Sequence, residues 1–105
     1  MLKPELVQKV NDLWAPVKRS PEYGVPVVKA KSEIGIRVHP NAKMSVTVLL
    51  IDTERKQHKF ESKTVTENVL GVVLPLPFSK GFGIELVDVF ANMEKAVTTV
   101  YMVKE

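Results

Sequence analysis

Two histidines and two nearby carboxylates are the residues of this chain best suited to acid, base or metal chemistry. His39 and His58 are its only histidines, and Asp52 and Glu54 lie shortly before His58. A zinc site needs three or four ligands, and these residues follow no recognised ligand spacing. Asp52 and Glu54 also lie in a polar stretch, where water keeps both carboxyl groups near their normal ionisation. We therefore expect ordinary surface side chains here, with no metal site and no catalytic pair.

The other common routes to catalysis lack their sequence motifs. The chain has no cysteine, which excludes thiolate nucleophiles, disulfides and cysteine-ligated metals. No serine lies in a G-x-S-x-G sequence. Gly81 and Gly83 lack the third glycine, the lysine–serine pair and the following helix of nucleotide-binding loops. The sequence thus predicts no catalytic residue, no cofactor and no enzymatic activity.

The same glycine segment has a second interpretation, as a contact loop. Phe78 and Phe82 flank flexible glycines, so they would form an apolar loop tip. Exposed apolar tips on loops are common sites of insertion into a partner protein. Phe78 and Phe82 are therefore predicted partner-binding residues.

Residues 1–16 predict an amphipathic helix. Pro4 suits a first helical turn and Pro16 ends the helix, which is then about three turns long. A helix this short is marginal in water, so its apolar stripe must dock on its own sheet or on another molecule. Trp14 serves as an intramolecular anchor in the first case and as an interface residue in the second. Besides Leu2, the stripe contains the predicted partner-binding residues Leu6, Val10, Leu13 and Trp14.

After a proline-rich connector, the spacing of apolar residues changes from helical to alternating. Ile34, Ile36 and Val38 alternate with Gly35 and more polar residues, which is typical of a half-buried strand. Residues 44–51 are rich in β-branched residues and become apolar on both faces, which favours a central strand. The predicted strands are residues 25–29, 34–38, 44–51, 57–65, 69–76, 83–91 and 96–103, the last two forming a hairpin around 92–95.

These elements predict a mainly β chain: an antiparallel β-sandwich of six or seven strands with one N-terminal amphipathic α-helix. The segment from Lys43 to Val103 resembles immunoglobulin-like modules in general layout, without their cysteine pair or core tryptophan. At 105 residues the chain fits a single domain. Residues 1–24 would hold the helix and connector, and residues 25–105 the β-sandwich body.

The charge is uneven along the chain. Residues 1–66 carry 12 Lys and Arg against 7 Asp and Glu, whereas residues 67–105 carry 3 against 5, for a net charge of +3 overall. Acidic residues are interleaved among the basic ones, which is typical of a mixed solvated surface. The alternative hypothesis is a small nucleic-acid-binding domain with an OB-like barrel. Its binding residues would be Lys29, Lys31, Arg37, Lys43, Arg55 and Lys59.

The leading hypothesis from sequence is a non-enzymatic protein-interaction or structural module that binds a protein partner or self-associates. Charged residues interrupt the N-terminal apolar positions, so we expect no signal peptide. The longest apolar run, residues 69–76, is far shorter than the ~20 residues of a membrane-spanning helix. These features and the lack of cysteine favour a cytoplasmic location.

Overall fold

Strands make up most of the chain. A computed structural model describes residues 3–67, 71–76 and 82–105, of which the side chains of residues 59–62 are not described. The strands are β1 (Glu5–Val10), β2 (Leu13–Pro16), β3 (Val27–Lys29), β4 (Ile34–Val38), β5 (Met44–Ile51), β6 (Gln57–Val65), β7 (Val72–Pro75), β8 (Gly83–Ala91) and β9 (Glu94–Lys104).

The strands form two sheets. The four-stranded sheet has the order β2-β1-β4-β7 and is antiparallel throughout. The five-stranded sheet has the order β3-β9-β8-β5-β6, in which β3 runs parallel to β9 and the other neighbours are antiparallel. Alternate residues of both sheets enter one hydrophobic core, so the sheets pack face to face. The residues in the centre of this core include Ile36, Val38, Val46, Val48, Leu74, Val87 and Val89.

The predicted N-terminal helix is wrong. Residues 5–16 form the hairpin of β1 and β2, and no helix occurs in residues 3–67, 71–76 or 82–105. Asn11 and Asp12 both have positive φ, 51° and 63°, which is the signature of a tight type I′ turn. This turn brings Leu13 opposite Val10, while Leu6 pairs with Ile36 of β4. Pairing with β4 therefore prevails over a short helix that is marginal on its own.

The predicted strands from residue 27 onward lie close to the observed ones. Strands β4, β5, β6 and β8 have the predicted bounds. Of the predicted strand 69–76, residues 69 and 70 lie outside the described residues, and β7 covers Val72–Pro75. The hairpin of β8 and β9 has a two-residue turn, Asn92 and Met93, in place of the predicted four residues. The observed strands outnumber the predicted six or seven because β1 and β2 replace the helix. The chain is mainly β, with two sheets, as the sequence indicates for its larger part.

No helix in the described ranges is long and apolar enough to cross a membrane.

Candidate interaction surface

The outer face of the five-stranded sheet is defined by the residues that alternate with its core positions. Val48 and Leu50 of β5 and Val87 and Val89 of β8 are buried in the core. Because successive side chains of a strand point to opposite faces, the residues between them point outward. The outward residues of the central strands are Thr47, Leu49 and Ile51 on β5, Ile84, Leu86, Asp88 and Phe90 on β8, and Thr98, Val100 and Met102 on β9.

Two rows across this outer face are apolar on strands β5, β8, β9 and β3, and the first ends at Gln57 on β6, opposite Ile51. In the first row, Ile51 lies opposite Leu86, which lies opposite Val100. In the second row, Ile84 lies opposite Met102, which lies opposite Val27 of β3. We call these six residues, together with Leu49 and Phe90, the apolar face.

A shallow cleft extends the apolar face toward the turn between β8 and β9. Thr47, Leu49, Phe90 and Met93 line it, and its volume is about 250 Å³. Met93 is 84% exposed and is held at φ 71°, a left-handed conformation that L-residues with long side chains rarely adopt. An exposed apolar side chain on a strained turn next to an apolar cleft is a candidate contact residue.

The turn itself is fixed to the neighbouring strand. The Asn92 backbone N–H donates to the Ser45 carbonyl oxygen at 2.8 Å, and the Ser45 N–H donates to Asn92 Oδ1 at 3.1 Å. Both partners of this pair lie at the same end of the sheet as Met93. The turn is therefore positioned by β5 as well as by its own hairpin.

Asp88 is an acidic residue of the outer face, and its charge is locally compensated. Its carboxylate accepts a hydrogen bond from the Thr98 hydroxyl, and Lys95 Nζ lies 3.7 Å from Asp88 Oδ1. Thr98 is the residue directly opposite Asp88 on β9. Only 8% of Asp88 is exposed, so its charge contributes little to the polarity of the face.

The outer face of the four-stranded sheet is different in character, because a charged network crosses it. Arg37 of β4 donates from Nη1 to Glu5 Oε1 at 3.2 Å and from Nη2 to the Trp14 carbonyl oxygen at 2.9 Å. His39 Nε2 lies 3.6 Å from the same Glu5 oxygen. The backbone at Gly71 passes so close that an added Cβ would lie 2.8 Å from His39 Cε1. These hydrogen bonds and ion pairs link β1, β2 and β4 to one another across the outer face of the sheet.

The predicted partner-binding residues do not share one surface. Leu6 is buried in the core, whereas Val10 and Leu13 are exposed at the tip of the β1–β2 hairpin, Leu13 by 71%. Trp14 packs within the chain: its ring lies over Gly35, 3.4 Å from the position of an added Cβ. Of the loop residues, Phe82 is exposed and Phe78 lies outside the described residues.

The predicted nucleic-acid-binding residues are also dispersed. Lys43 precedes β5 and Arg55 follows it, so about 26 Å of strand separates them. Arg37 lies on the other sheet and is paired with Glu5. Lys29 and Lys31 lie at and beyond the end of β3, and the side chain of Lys59 lies outside the described residues. Nucleic-acid binding remains a prediction from the sequence.

The two histidines lie on different sheets, each beside its own carboxylate. His58 Nε2 lies 2.8 Å from Asp52 Oδ2, while Asp52 Oδ1 accepts the backbone N–H groups of Glu54 and Lys56. The His58 hydrogen bond, followed by those of the backbone, lowers the pKa of Asp52 from its usual 3.8. Asp52 thus closes the β5–β6 turn. In the described part of the chain, no group of three or more histidine or acidic residues could hold a metal ion.

The sequence contained a signal for the apolar face. Residues 44–51 are apolar on both faces, a pattern typical of strands covered on both sides. The structure covers only the inward side of β5, so Leu49 and Ile51 have no covering layer in the described residues. The same applies to Leu86 and Phe90 of β8.

Comparison with known proteins shows distant similarity to solved structures alone. No family model matches the sequence, and no curated protein matches it. Among solved structures, the chain is similar to Pseudomonas fluorescens alkylpurine DNA glycosylase AlkC bound to DNA containing an abasic site analog, with 11% identity and a TM-score of 0.44. The similarity covers 75% of this chain and 27% of that chain. At this level it supports no inference about function.

Proposed function

We propose that this chain is a non-enzymatic protein-interaction module that binds the apolar surface of another protein with its apolar face. The contrast between the two outer faces carries the proposal. The four-stranded sheet presents Glu5, Arg37 and His39 to solvent, whereas the apolar face presents two rows without a charge. The cores of protein interfaces are depleted of charged residues in the same way.

The position of the apolar face favours binding. Strands β5 and β8 have a neighbour on each side, so their outward residues are held by hydrogen-bonded backbone on both edges. A surface that is ordered before binding loses less conformational entropy when a partner docks. Apolar area removed from water contributes about 25 cal/mol per Å². Phe90 and Met93 belong to residue types that are enriched in interfaces.

The surroundings of the acid and base groups support a non-enzymatic role. Asp52 is engaged by two backbone N–H groups and His58, as expected for a turn. Glu85 is buried in the core, where it accepts a hydrogen bond from Tyr101. Contacts of this kind are typical of carboxylates that hold a turn or a core together, and they support the proposal.

A pair of matched variants tests this function. Leu86→Lys places a charge in the first apolar row, whereas Leu13→Lys places the same charge on an exposed leucine of the other sheet. Each variant and the parent chain serve as bait in extracts of the source organism, and captured proteins are quantified by mass spectrometry. We expect a partner that the parent and Leu13→Lys capture and Leu86→Lys loses. Equal capture by all three chains contradicts the proposal, and thermal melting confirms that each bait is folded.

A further inference from the structure

We draw no further inference here: the strongest candidate, the apolar outer face of the five-stranded sheet with the shallow cleft beside Phe90 and Met93, belongs to the site already described, and nothing in the structure shows what covers it.

Discussion

The Tyr101 hydroxyl donates a hydrogen bond to Glu85 Oε1 at 2.7 Å inside the hydrophobic core. The two residues lie directly opposite each other on β9 and β8, and only 2% of Glu85 is exposed. A buried carboxylate without its donors is costly, because it loses water and gains nothing in exchange. The Tyr101 hydroxyl therefore helps to stabilise Glu85 in the core.

Removing this hydroxyl should destabilise the fold. We expect Tyr101→Phe to lower the free energy of unfolding by about 1–3 kcal/mol, since Glu85 keeps its burial and loses a donor. Urea unfolding followed by circular dichroism measures the change. Tyr23→Phe is the control, because Tyr23 is exposed and its hydroxyl contacts Lys104 near the surface. Equal stability of Tyr101→Phe and the parent chain would count against this role.

Gly35 keeps space for the Val73 side chain and the Leu74 carbonyl group on the four-stranded sheet, beside the Trp14 ring. A Cβ at Gly35 would lie 2.9 Å from Val73 Cγ1 and 3.1 Å from the Leu74 carbonyl oxygen, so neighbouring groups must move. We expect Gly35→Ala to cost about 1–3 kcal/mol, as overpacking usually does. Trp14 is the only tryptophan, so its fluorescence reports the displacement.

Gly24→Ala serves as the comparison for Gly35→Ala. Gly24 has φ +73° and open space around its Cβ position, so alanine there strains the backbone without touching Trp14. Stability should fall by about 1–2 kcal/mol while the fluorescence spectrum stays the same. A fluorescence spectrum unchanged by Gly35→Ala would show that the position of the Trp14 ring does not depend on this glycine.

Met93 should have opposite effects on stability and on association. Met93→Gly relieves the left-handed strain at φ 71°, so the free energy of unfolding of the chain should rise by up to about 1 kcal/mol. The same change removes an apolar contact beside the cleft, so binding of a partner protein to the apolar face should weaken. Thermal melting of the purified chain and quantified capture of the partner protein measure the two effects separately.

Met93→Asn is the matched variant for this test. Asparagine tolerates positive φ and is polar, so it should also weaken association without loss of stability. Association that is unchanged in both variants would exclude Met93 from the interface.

The Asp52–His58 contact predicts a pH dependence of stability. The pKa of Asp52 is lower in the folded chain than its usual 3.8, chiefly through the His58 hydrogen bond. The ionised carboxylate therefore contributes stability that is fully present above the unfolded pKa and is lost as the pH falls through the folded pKa. Asp52→Asn should be less stable than the parent at neutral pH, and the difference should shrink as the pH falls below 3.8.

Glu54→Gln is the control for the Asp52 experiment, because the Glu54 carboxylate lies at the surface, 3.4 Å from Nζ of the exposed Lys56. Its stability should follow that of the parent chain at each pH, since exposed ion pairs contribute little. A constant difference between Asp52→Asn and the parent from neutral to acidic pH would contradict the assignment.

The strands of the β-sandwich body could be predicted because the alternation of apolar residues and the positions of the turn residues indicate the same strand bounds. Ile34, Ile36 and Val38 alternate, and all three enter the core. The prediction of an N-terminal helix was wrong because the spacing of Leu6, Val10 and Leu13 fits two structures. It fits one helix face, and it also fits a hairpin once Asn11 and Asp12 form a turn. Asparagine and aspartate tolerate positive φ, so this pair was the signal for the hairpin.

The apolar face was harder to predict than the strands that carry it. The alternation of residues along a strand shows which residues share a face. A strand that is apolar on both faces is expected to be buried on both sides, but its sequence does not show which element or molecule buries the outward face. The rows of Leu86 and Ile84 depend on the registers among β3, β5, β8 and β9, which are long-range pairings. Local sequence patterns carry no information on these registers.

The parallel pairing of β3 with β9 has a consequence for the order of folding. Val27 lies opposite Met102, 75 positions later in the chain. During synthesis, β3 thus has no strand to pair with until β9 has been made, and its backbone groups remain with water until then. Pairings across such distances in sequence are slow to form. The five-stranded sheet, and with it the full width of the apolar face, is therefore completed late.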